Sequence, residues 1–486
     1  MGLVGNDMLA RTLSKFGVRD FFFIMGGPMV DAQRLMVEQG IRAIDTRHEQ
    51  AAAMMAHAYS RVTGDVGVCM GCSGPGTLNL LTGVASAWAD GCPVVAIGGS
   101  SPSFQSGMGT FQEVDQVATF APVTKWSYRV PEASRISDVL EEAFRRARGG
   151  RPGPVYLDFP ADVLYQEVPD NQAQIADRVG GQRRTMADPA DVASAARLLA
   201  AAERPLIVAG SGVLWSEAWS ELGDLVDLAG IPFFTTPQAR GMIPEDHPLS
   251  FLFARSAAFR EADVVLVVGT RVNHMINFAK KPRFHADAQF IQLDIDGVEI
   301  GQNRSVAVGM AGDAKLALAQ LIDEIKPLCA GRGKSAWVEH LEKVNATKGA
   351  EHEERCNSDQ TPIHPLRLAK EVRDVLDPDT ILVVDGHEIL NFCRQTIPSY
   401  LPRHRLNSGP FGTMGVGVPF AVGAKAAAPD KQVVVVHGDG SFGMNGMELD
   451  TAIRMDLPVV CVIGNNAGWT SAQPERKRPG VHLGHT

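Results

Sequence analysis

Asp439 and Asn466 are the residues of this sequence with the clearest capacity for chemistry. Asp439 stands within Gly438-Asp439-Gly440, and Asn466 closes the pair Asn465-Asn466. The pattern between them predicts a strand from Val433 to His437, a turn, a helix around Met447 to Met455 and a strand from Val459 to Ile463. An Asp leaving one strand and an Asn leaving the next offer oxygen ligands to one hard cation such as Mg²⁺. Such a cation commonly completes its shell with the diphosphate of a substrate or cofactor. Gly-Asp-Gly alone is the composition of an ordinary turn. The asparagine pair, with twenty-four residues separating Gly440 from Asn465, is what adds a second oxygen donor and sets this segment apart from such a turn.

A second acid, Glu49 in Arg47-His48-Glu49-Gln50, opens an alanine-rich helix containing Ala51, Ala52, Ala53, Ala56 and Ala58. An acid at a helix start has a purely structural reading, as a charge favourable to the helix dipole. The small side chains allow close approach, and the expectation is that this face packs against another subunit. Cys69 and Cys72 form a lone C-x-x-C where the strand from Val66 to Met70 enters Ser73-Gly74-Pro75-Gly76. Without a second pair, it reads as two buried, inert thiols rather than a zinc or redox site.

Apolar strands alternate with amphipathic helices along the chain, which predicts α/β layers with mostly parallel sheets. The 486 residues suffice for three doubly wound domains. The first, residues 1–165, has strands near Asp20–Ile24, Val66–Met70, Val94–Ile97 and Val155–Asp158, and helices near Glu49–Arg61 and Thr77–Trp88. A polar stretch from Gln166 to Met186, with Gly180-Gly181 and Arg183-Arg184, predicts a linker. The central domain, residues 187–330, has the strand Pro205–Ala209 before Gly210-Ser211-Gly212, then Ile231–Thr235, Val264–Val268 and Phe290–Leu293. The charged stretch from Ala330 to His364 predicts a surface helix and a second linker. The third domain, residues 364–486, carries the Asp/Asn motif and stops soon after its second strand. It is therefore expected to lack its C-terminal part.

Composition bounds the function. A 45% hydrophobic and 21% charged chain is that of an ordinary soluble globular protein. A formal charge of -9 argues against a nucleic-acid or anionic-membrane surface. The N-terminus lacks a basic region followed by an apolar core, and no apolar run reaches spanning length. Seven scattered cysteines suggest reduced thiols, and the expected location is cytoplasmic.

The chain resembles thiamin diphosphate enzymes of the acetolactate synthase/oxalyl-CoA decarboxylase superfamily, and within it the 2-hydroxyacyl-CoA lyases. The resemblance covers nearly the whole length. It rests on Arg47-His48-Glu49-Gln50-Ala51-Ala52, Ser73-Gly74-Pro75-Gly76, Arg151-Pro152-Gly153-Pro154-Val155-Tyr156 and the Asp439/Asn466 motif. Gly98-Gly99-Ser100-Ser101 with Met108 to Glu113, Gly269 to Asn273, and Tyr400 to Leu406 running into Phe411-Gly412-Thr413-Met414-Gly415 favour the acyl-CoA branch.

The resemblance implies thiamin diphosphate and Mg²⁺ as cofactors, and active sites built from two chains at a homodimer interface, with a homotetramer also open. Glu49 becomes the carboxylate that drives the aminopyrimidine tautomer. Asp439, Asn466 and the Gly468 carbonyl become metal ligands, with Gly438, Gly440 and Ser441 in the diphosphate turn. Met414 holds the two cofactor rings bent, and the Gly412 carbonyl accepts the aminopyrimidine N–H. Phe111 and Gln112 match substrate-side positions, and His48 and Gln112 are candidates for handling protons. A phenylalanine such as Phe111 is otherwise expected to be core.

Three departures bear on the branch. Ala467-Gly468-Trp469-Thr470 replaces the family's usual small, aliphatic and tyrosine residues after the asparagines, so Trp469 alters the pocket wall. The first domain has no His-His pair, against a pyruvate decarboxylase. Asn273 stands where flavin-dependent synthases carry an Arg-Phe-Asp-Asp-Arg-like run, which weakens flavin binding. For CoA phosphates the candidates are Lys280, Lys281 and Arg283, or Arg403 and Arg405, with solvated surface charge as the default for each. Arg476, Lys477 and Arg478 could belong to a closing segment.

The implied reaction is carbon–carbon cleavage of a 2-hydroxyacyl-CoA to formyl-CoA and a ketone or aldehyde, with the cofactor as electron sink. A branched acyl group such as 2-hydroxyisobutyryl, releasing acetone, is attractive. The alternatives are an oxalyl-CoA decarboxylase, an acetolactate synthase-like carboligase and a catalytically silent cofactor-binding partner subunit.

Overall fold

The computed structural model describes residues 2–177, 183–329 and 333–468. It divides into two compact units, residues 1–182 with 411–463, and residues 183–410 with 464–486.

The first unit is built on a six-stranded parallel sheet. Its strands are β1 (Asp20–Phe23), β2 (Arg42–Asp45), β3 (Gly67–Gly71), β4 (Val94–Ser100), β5 (Trp126–Arg129) and β6 (Val155–Pro160), in the spatial order β2-β1-β3-β4-β6-β5. The inner strands β1, β3, β4 and β6 are buried from end to end. That is why they read as continuous apolar runs. Phe21, Met70, Val95, Ile97 and Leu157 of these strands share one core with Leu9, Leu140 and Phe144 of flanking helices.

Helix α1 (Glu49–Thr63) follows β2 directly, with extended His48 as its N-cap and left-handed Gly64 at its C-cap. Its five alanines are fully buried. The glycines facing it explain the packing: a Cβ on Gly423 would lie 2.3 Å from the Met55 carbonyl oxygen, and one on Gly83 would lie 2.5 Å from Ala53 Cβ. Those glycines belong to α2 (Leu81–Asp90), which follows α1, and to α3 (Gly417–Ala427), which comes late in the chain. The alanine face therefore packs within the same chain, not against another subunit as expected from its composition. The unit also holds β-strands Val433–Gly438 and Val460–Gly464, which are neighbours in their sheet. Helices α4 (Asp439–Asn445) and α5 (Glu448–Arg454) connect them.

The second unit carries a five-stranded parallel sheet of Pro205–Ala209, Phe233–Thr235, Val264–Val268, Gln289–Asp294 and Val308–Ala311. One face is packed by Leu199, Leu222, Leu318 and Leu321, and the other by Phe259, Phe284 and Trp337. Trp337 comes from the 21-residue helix Ala336–Cys356. The segment read as a surface helix thus buries Trp337, Val338, Leu341, His352 and Cys356. Strands Ile381–Val384 and Arg405–Asn407 pair in parallel in this unit. Among the described residues no helix is long and apolar enough to cross a membrane.

Candidate active site

The functional side chains of the first unit emerge where ligands gather in open α/β sheets, after the carboxyl ends of strands. Glu49 follows β2, the turn Ser73-Gly74-Pro75-Gly76 follows β3, and Gln112 lies on the loop after β4. Asp439 follows the strand Val433–Gly438.

Glu49 is buried, and its Oε2 accepts a hydrogen bond from Asn79 Nδ2 at 3.0 Å. Its Oε1 accepts no hydrogen bond among the described residues and faces bare backbone: a Cβ on Gly76 would lie 3.0 Å from it and 2.4 Å from Cys72 Sγ. One oxygen is anchored and the other is left available. His48 Nδ1 accepts from the Gln50 N–H at 3.1 Å, which places the ring's proton on Nε2 when the imidazole is neutral.

The same turn holds Gln112. The Ser73 hydroxyl donates to Gln112 Oε1, and a Cβ on Gly74 would lie 2.6 Å from the Gln112 carbonyl oxygen. Gln112 itself has a φ of 61°, in the left-handed region. A buried network fixes the turn behind it. Gln116 Oε1 accepts the Gly74 N–H at 2.7 Å, while Gln116 Nε2 donates to Asp158 at 2.6 Å and Tyr156 at 2.9 Å. Glu49 and Gln112, distant in sequence, thus meet against one four-residue turn. Phe111 is not core; it is 82% exposed, on a loop that also exposes Phe104 and Met108.

Cys69 is buried, and burial pushes its thiol well above the ordinary range. Cys72 is only partly buried, and burial followed by the neighbouring Glu49 charge raises its pKa. Both favour the neutral thiol, so the inert reading stands while full burial holds for Cys69 alone.

Gly412 and Gly415, with φ of 70° and 82°, flank Thr413 and Met414. The space where a Gly412 Cβ would project is open. Thr413 Oγ1 is buried with no hydrogen-bond partner among the described residues. Asn445 of α4 ties this turn down by donating to the Gly415 carbonyl at 2.8 Å. The Gly438-Asp439-Gly440 segment, expected as a turn, is the start of helix α4: Gly438 is its N-cap, Asp439 is in its first turn, and the buried Ser441 hydroxyl donates to the Gly438 carbonyl at 3.0 Å. In the second unit, Asn466 Nδ2 lies 3.4 Å from Glu388 Oε2, and Gly468 is two residues on. Trp469, Thr470, Arg476, Lys477 and Arg478 lie outside the described residues, as do Gly180 and Gly181.

Sequence reasoning missed Asn79, Asn445 and Glu448. Glu448 is 1% exposed, and its carboxylate accepts the backbone N–H groups of Arg47 at 3.0 Å and His48 at 3.1 Å. An acid in the first turn of a helix gives no signal beyond the ordinary dipole preference.

The second unit contains a cavity of about 310 Å³ lined by Arg240, Arg255, Arg283 and Arg394, with Glu245 as its one lining carboxylate. Arg240 and Glu245 pair with each other. Arg255 Nε is buried without a hydrogen-bond partner among the described residues, and its guanidinium and that of Arg283 both lie over the Phe259 ring. Burial, then the neighbouring Arg283, Arg394 and Arg240 charges, lower the Arg255 pKa to about 9. Four cations against one carboxylate make a site for an anion. Arg283 is thus partly enclosed, not the solvated charge taken as the default, while Lys280 and Lys281 are exposed. Arg403 lies over the rings of Trp215 and Trp219, and Arg405 is buried.

Three family models match the chain. Residues 3–119 match the thiamine pyrophosphate enzyme N-terminal TPP binding domain, residues 192–321 the central domain, and residues 390–482 the C-terminal TPP binding domain. The chain belongs to the thiamine pyrophosphate enzyme family. Its relatives include a 2-hydroxyacyl-CoA lyase of Arabidopsis thaliana, 37% identical over 96% of this chain and 83% of that protein. An oxalyl-CoA decarboxylase of Escherichia coli is 36% identical with the same coverage of each. A probable acetolactate synthase large subunit of Methanocaldococcus jannaschii is 34% identical over 99% of this chain and 84% of that protein.

The residues present fit the family's cofactor, thiamin diphosphate. Glu49 offers an available oxygen over bare backbone, Thr413 Oγ1 is a buried polar atom without a partner, and open space lies beside Gly412.

Proposed function

We propose that the chain is a thiamin diphosphate-dependent carbon–carbon lyase that cleaves 2-hydroxyacyl-CoA to formyl-CoA and a ketone or aldehyde. The observation that carries this reading is the arginine-lined cavity, joined to the likeness to a 2-hydroxyacyl-CoA lyase. A CoA thioester brings phosphates that match the partly enclosed guanidinium groups of Arg255, Arg283 and Arg394, whereas pyruvate, the substrate of the carboligase alternative, carries a single carboxylate.

Bound thiamin diphosphate supplies a carbon nucleophile and an electron sink. The chain's residues then have defined tasks. Glu49, with Oε2 held by Asn79, would bind the aminopyrimidine through Oε1 and hold its proton. The Gly412 carbonyl would accept the aminopyrimidine N–H, and Met414 would pack against the two rings. Asp439, Asn466 and the Gly468 carbonyl would offer oxygen ligands to Mg²⁺, and Gly438, Gly440 and Ser441 at the start of α4 would face the diphosphate. Gln112, bonded to Ser73, orients the substrate oxygen atoms beside Phe111, and His48 Nε2 can donate a proton. The bond between the thioester carbon and the hydroxyl-bearing carbon breaks. The hydroxyl loses its proton as the ketone or aldehyde leaves, and the thioester carbon gains one to become formyl.

The exposed apolar loop side chains Phe104, Met108 and Phe111, with Met444, Met447 and Ile453, support a homo-oligomer in which a second chain covers them. Oxalyl-CoA decarboxylase is the second reading, favoured by the nearly equal identity of that relative. The deciding test of the assigned machinery is Glu49→Gln. The variant should bind Mg²⁺-thiamin diphosphate within about threefold of wild type and lose turnover by about a thousandfold, the middle of the range for general acid–base groups. Undiminished turnover would remove Glu49 from its role.

A further inference from the structure

We propose that Glu448 is a positioning residue for Glu49, fixing the entry to helix α1 from the helix pair that carries Asp439. This inference rests on the cofactor assignment above. The buried Glu448 carboxylate accepts three hydrogen bonds: from the Arg47 N–H, from the His48 N–H and from the Thr451 hydroxyl at 2.7 Å. His48 is the N-cap of α1 and Glu49 its first residue, so Glu448 grips the peptide groups immediately before the Glu49 side chain.

The carboxylate is needed as an acceptor on both oxygens. Two backbone donors converge on Oε1, and Oε2 takes Thr451 with a share of Arg47 at 3.2 Å. An amide keeps one acceptor oxygen for the two backbone N–H groups but loses the charge that strengthens those bonds, and its NH2 would face the Thr451 hydroxyl and the shared Arg47 N–H. Burial raises the Glu448 pKa, opposed by Thr451, Arg47 and His48 in that order, so these donors are what keep the acceptor available.

Two further contacts reach the same loop from α5. Arg47 pairs with Asp450, and Arg454 donates to the Asp45 carbonyl at 2.7 Å. Those pairs are half-exposed and weak; Glu448 is the enclosed member. Asn445 of α4 adds a second link, bonding Gly415 and lying 3.8 Å from Met54 Sδ of α1. The segment bearing Asp439 and the helix bearing Glu49 are thus locked together through groups that touch no reacting atom.

The test is hydrogen–deuterium exchange at the thiazolium C2 of thiamin diphosphate bound with Mg²⁺, a readout needing no acyl-CoA. Glu448→Gln should slow enzyme-promoted exchange by about tenfold or more, the loss expected of a mispositioned group, while the cofactor Kd and the thermal midpoint change little. Thr451→Val, which removes one donor and leaves the carboxylate, should slow exchange by a few-fold and serves if Glu448→Gln does not fold. The exposed-rim variant Asp450→Asn should exchange at the wild-type rate. Wild-type exchange in folded, cofactor-bound Glu448→Gln would overturn the proposal, as would an effect no larger than that of Asp450→Asn. Exchange in the wild type without lyase turnover would sink the substrate reading and leave Glu448 testable. Wild type that promotes no exchange would overturn both.

Discussion

Gly76→Ala is a one-methyl test of the space around Glu49. Gly76 has no left-handed strain, so alanine is permitted by the backbone, and only the contacts decide. The new Cβ would lie 2.4 Å from Cys72 Sγ and 3.0 Å from Glu49 Oε1. An ordinary contact is about 3.5 to 4.0 Å, so the sulfur must retreat by about 1 Å and the carboxylate oxygen by roughly 0.5 Å. Overpacking of this size costs about 1–3 kcal/mol of stability. A misplacement approaching 1 Å near the reacting groups costs up to about a hundredfold in rate. The expected result is a folded protein, slightly less stable, with C2 exchange and turnover reduced by about ten- to a hundredfold. Adding Cys72→Ala removes the worse clash and leaves the contact with Glu49, so the double variant, compared with Cys72→Ala alone, should recover most of the stability and little of the rate. Circular dichroism and thermal melts establish folding; NMR exchange and single-turnover kinetics supply the rates. Wild-type exchange and turnover in folded Gly76→Ala would show that the turn does not confine Glu49.

Arg255→Met should raise KM for acyl-CoA by about tenfold or more, since a hydrogen bond to a charged group contributes about 1.5–3 kcal/mol, with kcat little changed. The same substitution should raise the thermal midpoint without ligand, because an unpaired cation leaves a crowded site; unchanged KM would detach the cavity from substrate. His57 is buried against Asp90 at 3.0 Å and beside Phe420, and burial outweighs Asp90 in lowering its pKa below 6.5. Its unfolded form therefore takes up more protons, and the stability from neutral His57 is complete above pH 6.5 and lost as pH falls through the folded pKa. Urea midpoints should drop from about pH 7.5 to about pH 5.5 in wild type and less in His57→Gln. An identical pH slope in the two proteins would refute that assignment.

The strands Pro205–Ala209 and Val264–Val268 were legible to the residue, because continuous apolar runs mark strands covered on both faces. Arg42–Asp45, Trp126–Arg129 and Val308–Ala311 were not. They are short outer strands with polar or glycine residues, whose pairing comes from the neighbouring strand rather than their own pattern. The helix expected over Thr77 to Trp88 is two helices, Pro75–Asn79 and Leu81–Asp90, and Asn79, which anchors Glu49, ends the first. At the site, Glu49, Gln112, Gly412, Met414 and Asp439 stand in local motifs and could be named from them. Glu448 could not, and of the cavity arginines only Arg283 is named from the sequence, as one of a run of surface charges. Glu448 acts through backbone groups 400 residues away. Arg240, Arg255, Arg283 and Arg394 come together only when the second unit folds.

The most direct measurement supplies 2-hydroxyisobutyryl-CoA, a linear 2-hydroxyacyl-CoA, oxalyl-CoA and pyruvate separately, with thiamin diphosphate and Mg²⁺, and follows products by mass spectrometry. The account predicts formyl-CoA with a matching ketone or aldehyde from a 2-hydroxyacyl-CoA. Formyl-CoA from oxalyl-CoA alone, or product from pyruvate alone, would contradict it.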